Sequence, residues 1–176
     1  MLDKLYITPR QWLHFLRWAL YALVLLVTAM LQTVVLAGRV SICPDFVPIV
    51  ITCVCLREGP ERGGTFALIA SLLWCFSGAD QGSVAIAVLT IVPVVGSLLS
   101  RAVLTNRFIP CLIIAFATVF IEQSIMFFLK FFFSGAAGSL FFTKLLPCVL
   151  ISTLAQPPVY WLVKRIAKIG ERYEST

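Results

Sequence analysis

Charged residues in this chain stand almost only where long apolar runs end. The 176 residues include 14 Lys or Arg and eight Asp or Glu. Apolar residues make up 60% of the chain, more than in typical soluble domains, and the mean hydropathy is +0.99. A helix of a water-soluble domain needs a polar face, whereas these helices would be apolar all round, as membrane spans are. The pattern predicts an all-α integral membrane protein with little mass outside the bilayer.

Apolar runs and helix-breaking residues divide the chain into six segments, and we interpret residues 1–176 as a single transmembrane domain. The segments cover about 18–37, 46–56, 65–76, 84–99, 108–133 and 140–163. At about 1.5 Å per residue, the first, fifth and sixth can cross a core of about 30 Å, and the fourth is marginal. The second and third are too short. A six-helix transmembrane bundle with a hairpin of two short helices packed inside the protein is therefore expected.

The distribution of basic residues predicts the orientation. Six crossings place both termini on one side, and cytoplasmic termini put 11 of the 14 basic residues inside. Only Arg39, Lys130 and Lys144 would then lie outside, as the positive-inside rule requires. Residues 1–14 lack a cleavage site of small residues and are interpreted as a retained cytoplasmic lead-in. We therefore expect a multi-pass protein of the bacterial cytoplasmic (inner) membrane.

Glycine, small residues and proline indicate how the helices end and pack. Gly59 is expected to end the second segment and Pro60 to begin the third. A stripe of small residues at four-residue spacing should let a neighbouring helix approach closely. The stripe consists of Gly63, Ala67 and Ser71. Kinks are expected where prolines interrupt the fourth and sixth segments, at Pro93, Pro147, Pro157 and Pro158.

Glu122 is the most unusual residue of the chain because it lies near the middle of the fifth segment. A carboxylate at that depth is costly unless it is paired or protonated. Three polar residues of other segments are the candidate partners: Gln32, Thr33 and Gln156. One interpretation is a proton or substrate site. The other is a neutral or hydrogen-bonded carboxyl group that holds helices together, which a single acid without a second titratable group favours.

Two further charged motifs lie at the ends of the second segment. Pro44 and Asp45 begin it, where a fixed φ and an acidic side chain favour the first turn of a helix, although the same geometry could aim a helix end at a partner. Arg57 and Glu58 end it, next to Glu61 and Arg62. This charged loop is either a solvated turn or a cytoplasmic docking point.

Several functional classes find no support in the sequence. No phosphate-binding glycine loop or Ser/His/Asp set is present, and no two carboxylates share a plausible site. The net charge is +6, but the basic residues lie at the ends of the spans and form no basic stripe for binding nucleic acid. Five of the six cysteines are interpreted as small buried apolar residues, and Cys43 as an oxidisable loop residue. We therefore expect no enzyme, no cofactor or metal, and no nucleic-acid partner.

A set of short motifs occurs in one order along the chain. It begins with Leu31-Gln32-Thr33 and Pro44-Asp45, continues with Leu56-Arg57-Glu58-Gly59-Pro60, Gly63-Gly64 and Ser77-Gly78, and ends with Gly96, Arg101, Glu122 and Leu145-Leu146-Pro147. From about Leu31 to Arg165, this order resembles the bacterial rod shape-determining membrane protein family MreD. Many members carry an acidic residue shortly before Ser-Gly, where this chain has Leu73 to Phe76. That acid is absent here or has moved to Asp80.

The resemblance implies a non-enzymatic scaffold of the cell-elongation complex that maintains cell shape. Such a protein would bind an MreC-like bitopic membrane protein within the lipid bilayer. It would thereby link cytoplasmic MreB filaments to a RodA-like transglycosylase and a class B penicillin-binding protein, the enzymes of peptidoglycan synthesis. The family is similar in fold to the substrate-binding subunits of energy-coupling-factor transporters. The alternative function is therefore a substrate-binding subunit of a small-molecule (vitamin) transporter.

Overall fold

A computed structural model describes residues 9–36, 44–77, 82–103, 108–134, 138 and 141–171. Every regular element within these ranges is helical, as the sequence predicts. The α-helices are α1 (Pro9–Met30), α2 (Phe46–Glu58), α3 (Pro60–Phe76), α4 (Gly82–Val103), α5 (Phe108–Ser134), α6 (Leu146–Leu154) and α7 (Gln156–Glu171). Two π-helical segments, Leu31–Leu36 and Phe141–Leu145, extend α1 and precede α6.

Among the described residues, four helical stretches are long and apolar enough to cross a membrane. They are Gln11–Val34, Ser83–Ser100, Phe108–Phe133 and Phe141–Ile169. These stretches overlap the four longer predicted segments and leave α2 and α3 as the two short ones. The chain is therefore compatible with a multi-pass membrane protein built as a helical bundle.

The first helix begins earlier than predicted, at Pro9 instead of about Trp18. Residues 9–14 of the expected lead-in are therefore helical. The side chains of Trp12 and Phe15 are exposed on this added stretch, which ends at Arg17. Tryptophan and basic residues at a helix end suit the level of the lipid headgroups. The remaining lead-in, residues 1–8, lies outside the described residues.

Helix α2 forms the centre of the bundle. Nine of its residues, Val47 to Cys55, are buried, and the helix contacts α1, α3, α4, α5, α6 and α7. A helix surrounded in this way needs no polar face, which explains its uninterrupted apolar sequence. The prediction of a short helix packed inside the protein is confirmed for α2. Helix α3 is buried on one face only, and Ile69 and Leu73 are exposed on the other.

The turn between α2 and α3 depends on two glycines. Gly59 separates the helices with a φ of 94°, a conformation that suits glycine, and Pro60 begins α3 as predicted. A Cβ atom on Gly63 would lie 2.5 Å from the Cα atom of Cys55, so α2 and α3 touch backbone to backbone. Ser71, further along the stripe, lies 3.2 Å from the hydroxyl of Thr90 on α4. The stripe therefore packs inside the protein and is no surface for a partner.

Proline divides the sixth predicted segment into two helices. Pro147 lies in the first turn of α6, which ends at Leu154. Ala155 forms a turn, and Pro157 with Pro158 occupies the first turn of α7. The backbone N–H groups in the first turn of a helix make no intrahelical hydrogen bond, so a proline there removes none. The predicted kink is therefore a break between two helices, whereas α4 continues through Pro93.

We expect Gly63→Ala to destabilise the protein, since its new methyl group would meet the backbone of Cys55 and no side-chain rotation could relieve the contact. Overpacking of this kind costs about 1–3 kcal/mol. Gly64→Ala is the matched control, because its methyl group meets only a side-chain methyl of Val94. The free energy of unfolding, measured by SDS titration in mixed micelles, should fall for the first variant and change by less than about 1 kcal/mol for the second. Equal effects would contradict the close α2–α3 contact.

Candidate functional site

A buried cluster of polar side chains surrounds Asp45, directly before α2. Gln32 donates a hydrogen bond from Nε2 to Oδ1 of Asp45 over 2.8 Å. Gln123 of α5 donates a second hydrogen bond from its Nε2 to Oδ2. The Asp45 side chain is 5% exposed, so these amides replace water around its oxygens. Asp45 therefore joins the end of the first helix to α5. We call Gln32, Asp45, Gln123 and Ser152 the Asp45 cluster.

Gln32 also caps the start of α2. Its Oε1 accepts hydrogen bonds from the N–H groups of Phe46, over 3.0 Å, and Val47, over 3.4 Å. The first N–H groups of a helix have no partner within the helix, and here they are buried. The side chain of Asp45, although it occupies the N-cap position, makes no capping bond. Gln32 thus provides hydrogen-bond partners both for the first N–H groups of α2 and for the carboxylate of Asp45.

Helix α6 completes the cluster from the opposite side. The backbone N–H of Asp45 donates to Oγ of Ser152 over 2.8 Å, and Ser152 in turn donates to the carbonyl of Cys148 over 2.7 Å. The Sγ atom of Cys148 lies 3.7 Å from Oδ2 of Asp45. The cluster therefore connects four elements: the first π-helical segment, α2, α5 and α6.

Glu122 lies beside this cluster but takes no part in its hydrogen bonds. Its side chain is 1% exposed, and neither carboxyl oxygen has a hydrogen-bond partner among the described residues. The partners expected from the sequence are wrong. Gln32 binds Asp45, Thr33 donates to the carbonyl of Ala29, and Gln156 donates to Cys111. An ionised carboxylate without a donor costs several kcal/mol, and a second ionised carboxylate at Asp45 would add repulsion.

A second polar group lies at the end of the bundle where α2 meets α3. Arg17 forms an ion pair with Glu58 at 2.7 Å, and the hydroxyl of Tyr21 donates to the other carboxyl oxygen of Glu58 over 2.8 Å. The expectation of a solvated turn is wrong for Glu58, whose side chain is 5% exposed, and holds for Glu61 and Arg62, which are exposed. A carboxylate thus lies at each end of α2: Asp45 binds a side chain of the π-helical segment that extends α1, and Glu58 binds side chains of α1.

The other predicted site residues make no hydrogen bond described within the Asp45 cluster. Thr33 is exposed, and Pro44 is buried next to Asp45. Arg57 lies in the last turn of α2, and Ala67 is buried on α3. Pro147 and Pro157 begin helices, as described above. Cys43 and Asp80 lie outside the described residues.

The sequence interpretation missed the roles of Gln123, Ser152, Tyr21 and Arg17. Each is a polar side chain within or beside an apolar span, and such residues usually face the protein interior. That signal marks them as buried, but it does not say which of them meet. No group of three or more His, Cys, Asp or Glu side chains in the described ranges is arranged to hold a metal ion.

Two apolar cavities lie between α1 and α3. One of about 440 Å³ and another of about 340 Å³ share Ala22, Leu25, Ala70 and Leu73, so they form one continuous groove. At one end the ring of Phe66 closes it, with centroids 5.9 Å from Trp18 and 6.3 Å from Tyr21. Its remaining lining residues are mostly apolar: Leu26, Ala29, Met30, Thr33, Val47, Thr65, Ile69, Trp74 and Ser77. We call it the α1–α3 groove.

Comparison with known protein families, curated proteins and solved structures finds no match to this chain. The interpretation of function therefore depends on the ordered sequence motifs and on the geometry described above. Of the motif residues, Gln32 and Asp45 meet in one hydrogen-bonded cluster, and Glu122 lies beside it.

We expect Asp45→Leu to be far more destabilising than Glu122→Leu. The first change leaves the amides of Gln32 and Gln123 without an acceptor, and each buried unsatisfied donor costs about 1–3 kcal/mol. The second change removes two oxygens that have no described partner, so stability should stay equal or rise. The free energy of unfolding in mixed micelles checks both. A larger loss for Glu122→Leu would show that Glu122 has a hydrogen-bond partner after all.

Proposed function

We propose that this protein is a non-enzymatic membrane scaffold of the cell-elongation complex, as the resemblance to the MreD family implies. The observation that carries the proposal is the α1–α3 groove, an apolar groove between two helices with exposed side chains along it. The hydrogen-bonding capacity of the Asp45 cluster is directed at neighbouring helices of the same chain. The polar cluster thus serves to hold the bundle, and the apolar groove remains for contact with a partner.

The groove suits a single membrane-spanning helix of an MreC-like partner. Ala22, Ala29 and Ala70 among its lining residues are small, which lets a helix backbone approach closely in the absence of a hydrophobic driving force. The side chains of Leu26, Met30 and Leu73 stand exposed along it and offer apolar contacts on both sides of such a helix. Helix α2 lies underneath as a rigid support. The proposed partner helix therefore takes the place that lipid would otherwise occupy.

An aromatic surface at the far end of α5 provides a second contact region for the scaffold. Phe128, Phe131, Phe132 and Phe133 are exposed there. Phe127 packs inward against Phe141, with ring centroids 5.4 Å apart, and so anchors this end of α5 to the segment before α6. Aromatic residues at this level suit the membrane interface and the core of protein contacts.

The alternative, a substrate-binding subunit of a vitamin transporter, calls for a pocket with converging polar groups. Gln32, Asp45 and Gln123 are the polar residues best placed for one, but they bind one another. The lining of the large groove is mostly apolar. These contacts favour the scaffold over the transporter subunit.

The proposal predicts the proteins that a tagged copy retains after mild detergent extraction from its own cells. Mass spectrometry should identify a bitopic MreC-like protein together with a class B penicillin-binding protein. Recovery of ABC-type ATPases with a coupling subunit, or of a bound vitamin, would support the transporter alternative and contradict the scaffold.

Filling the α1–α3 groove should release the MreC-like partner. Ala22→Trp places a large ring in both cavities from an exposed position, so the bundle itself should remain folded. Ala87→Trp is the matched control, an exposed alanine on α4 outside the groove. Partner recovery, normalised to the amount of folded protein in size-exclusion chromatography, should fall several-fold for the first variant only. Equal recovery with both variants would place the partner on another face.

A further inference from the structure

Two cysteines of different helices meet inside the bundle. The Sγ atom of Cys53 on α2 lies 3.6 Å from the Sγ atom of Cys111 on α5, and both residues are free cysteines. They are separated by 58 positions in the sequence, so only the packing of α2 against α5 brings them together. Cys55 points elsewhere and donates to the carbonyl of Gly63. The two sulfur atoms are thus in direct contact. Cysteines that only fill apolar space in a protein core need not contact each other.

The thiol pair borders a small cavity near the Arg57 end of the bundle. The cavity has a volume of about 30 Å³, room for one or two molecules of the size of water. It is lined by Cys53, Leu56, Arg57, Ser100, Cys111, Tyr160, Val163 and Lys164. The cavity is open on one side, and the exposed Lys164 is among its lining residues. A small polar reagent can therefore reach sulfur atoms that are otherwise buried.

Cys111 accepts a hydrogen bond from an amide of α7. Gln156 donates from Nε2 to the Sγ atom of Cys111 over 3.3 Å. Arg57 and Lys164 line the cavity that both thiols border. Hydrogen-bond donors and cations beside a thiol stabilise the anion, which is the nucleophile in thiol chemistry.

We propose that Cys53 and Cys111 form a dithiol site that hydroperoxides oxidise to a disulfide. Cys111 is the attacking residue and Cys53 the resolving one. This inference concerns α2, α5 and α7 and does not depend on the proposed scaffold function. The smallest hydroperoxide, hydrogen peroxide, is close in size to the molecules that the cavity can hold.

The reaction has two balanced steps. The Cys111 thiolate attacks one oxygen of hydrogen peroxide, the O–O bond breaks, and the leaving hydroxide takes a proton to become water, while sulfur becomes a sulfenic acid. The Cys53 thiol then attacks the sulfenic sulfur, an S–S bond forms, the S–O bond breaks, and a second water leaves with the thiol proton. The peroxide is reduced by two electrons that the two thiols supply. A dithiol reductant reverses the change.

The test uses the full-length protein in detergent. It is treated with hydrogen peroxide, unfolded in SDS with an alkylating reagent, and digested with trypsin without reduction. Cys53 lies in the tryptic peptide 40–57 and Cys111 in the peptide 108–130. We expect these peptides to be recovered as one disulfide-linked species that dithiothreitol separates. Because Cys43 and Cys55 share the first peptide, the fragment spectrum must place the link at Cys53. A link at another cysteine, or full alkylation of both residues after peroxide, would overturn the proposal.

Two variants test the assigned roles. In Cys53→Ser, the sulfenic acid on Cys111 should persist until the protein is unfolded in SDS with dimedone, which then traps it, whereas Cys111→Ser should lose both the link and the dimedone adduct. Cys55→Ser is the matched control, a buried cysteine on the same helix that should leave the linked species unchanged. A dimedone adduct on Cys53 instead of Cys111 would contradict the assignment. The experiment on the unsubstituted protein decides the proposal even if a variant fails to fold.

Discussion

The buried carboxylate of Asp45 is the interaction on which the packing of this bundle depends. Its two oxygens are bound by Gln32 and Gln123, and its backbone N–H is bound by Ser152. Without these donors, a charge at the start of a buried helix would cost several kcal/mol, and α2 could not remain in the centre. The three hydrogen-bond partners of Asp45 come from three other elements, so satisfying one residue also fixes the positions of its neighbours. An apolar contact could not do this, because it does not specify direction.

The fold could largely be predicted from the sequence because its main constraints are local. The shortness of the second and third segments, with Gly59 and Pro60 between them, indicates a hairpin. The apolar sequence of α2 indicates a helix that is buried on all sides. Prolines 157 and 158 mark the division of the sixth segment. The start of α1 was missed because Trp12 and Phe15 extend a helix into a stretch that also carries polar and charged residues.

The site could be predicted only in part, because it depends on contacts that are distant in sequence. Asp45 is separated from Gln32 by 13 positions, from Gln123 by 78 and from Ser152 by 107. Each of these polar residues is unusual in an apolar span and can be recognised from composition. Which of them form hydrogen bonds with one another depends on how each helix is rotated about its axis. The sequence period does not determine that rotation when a helix is apolar all round. For this reason the sequence favoured Glu122 over Asp45. Gln123, and not its neighbour Glu122, makes the hydrogen bond to Asp45.

The turn at Ala155 has a consequence for how parts of the bundle communicate. Ser152, which holds Asp45, and Gln156, which holds Cys111, lie on either side of this turn. Asp45 and Cys53 in turn belong to the start and the body of one rigid helix. The two sites therefore share α2 and the joint between α6 and α7. The angle between α6 and α7 at Ala155 thus fixes the position of the Asp45 acceptor relative to the amide that binds Cys111.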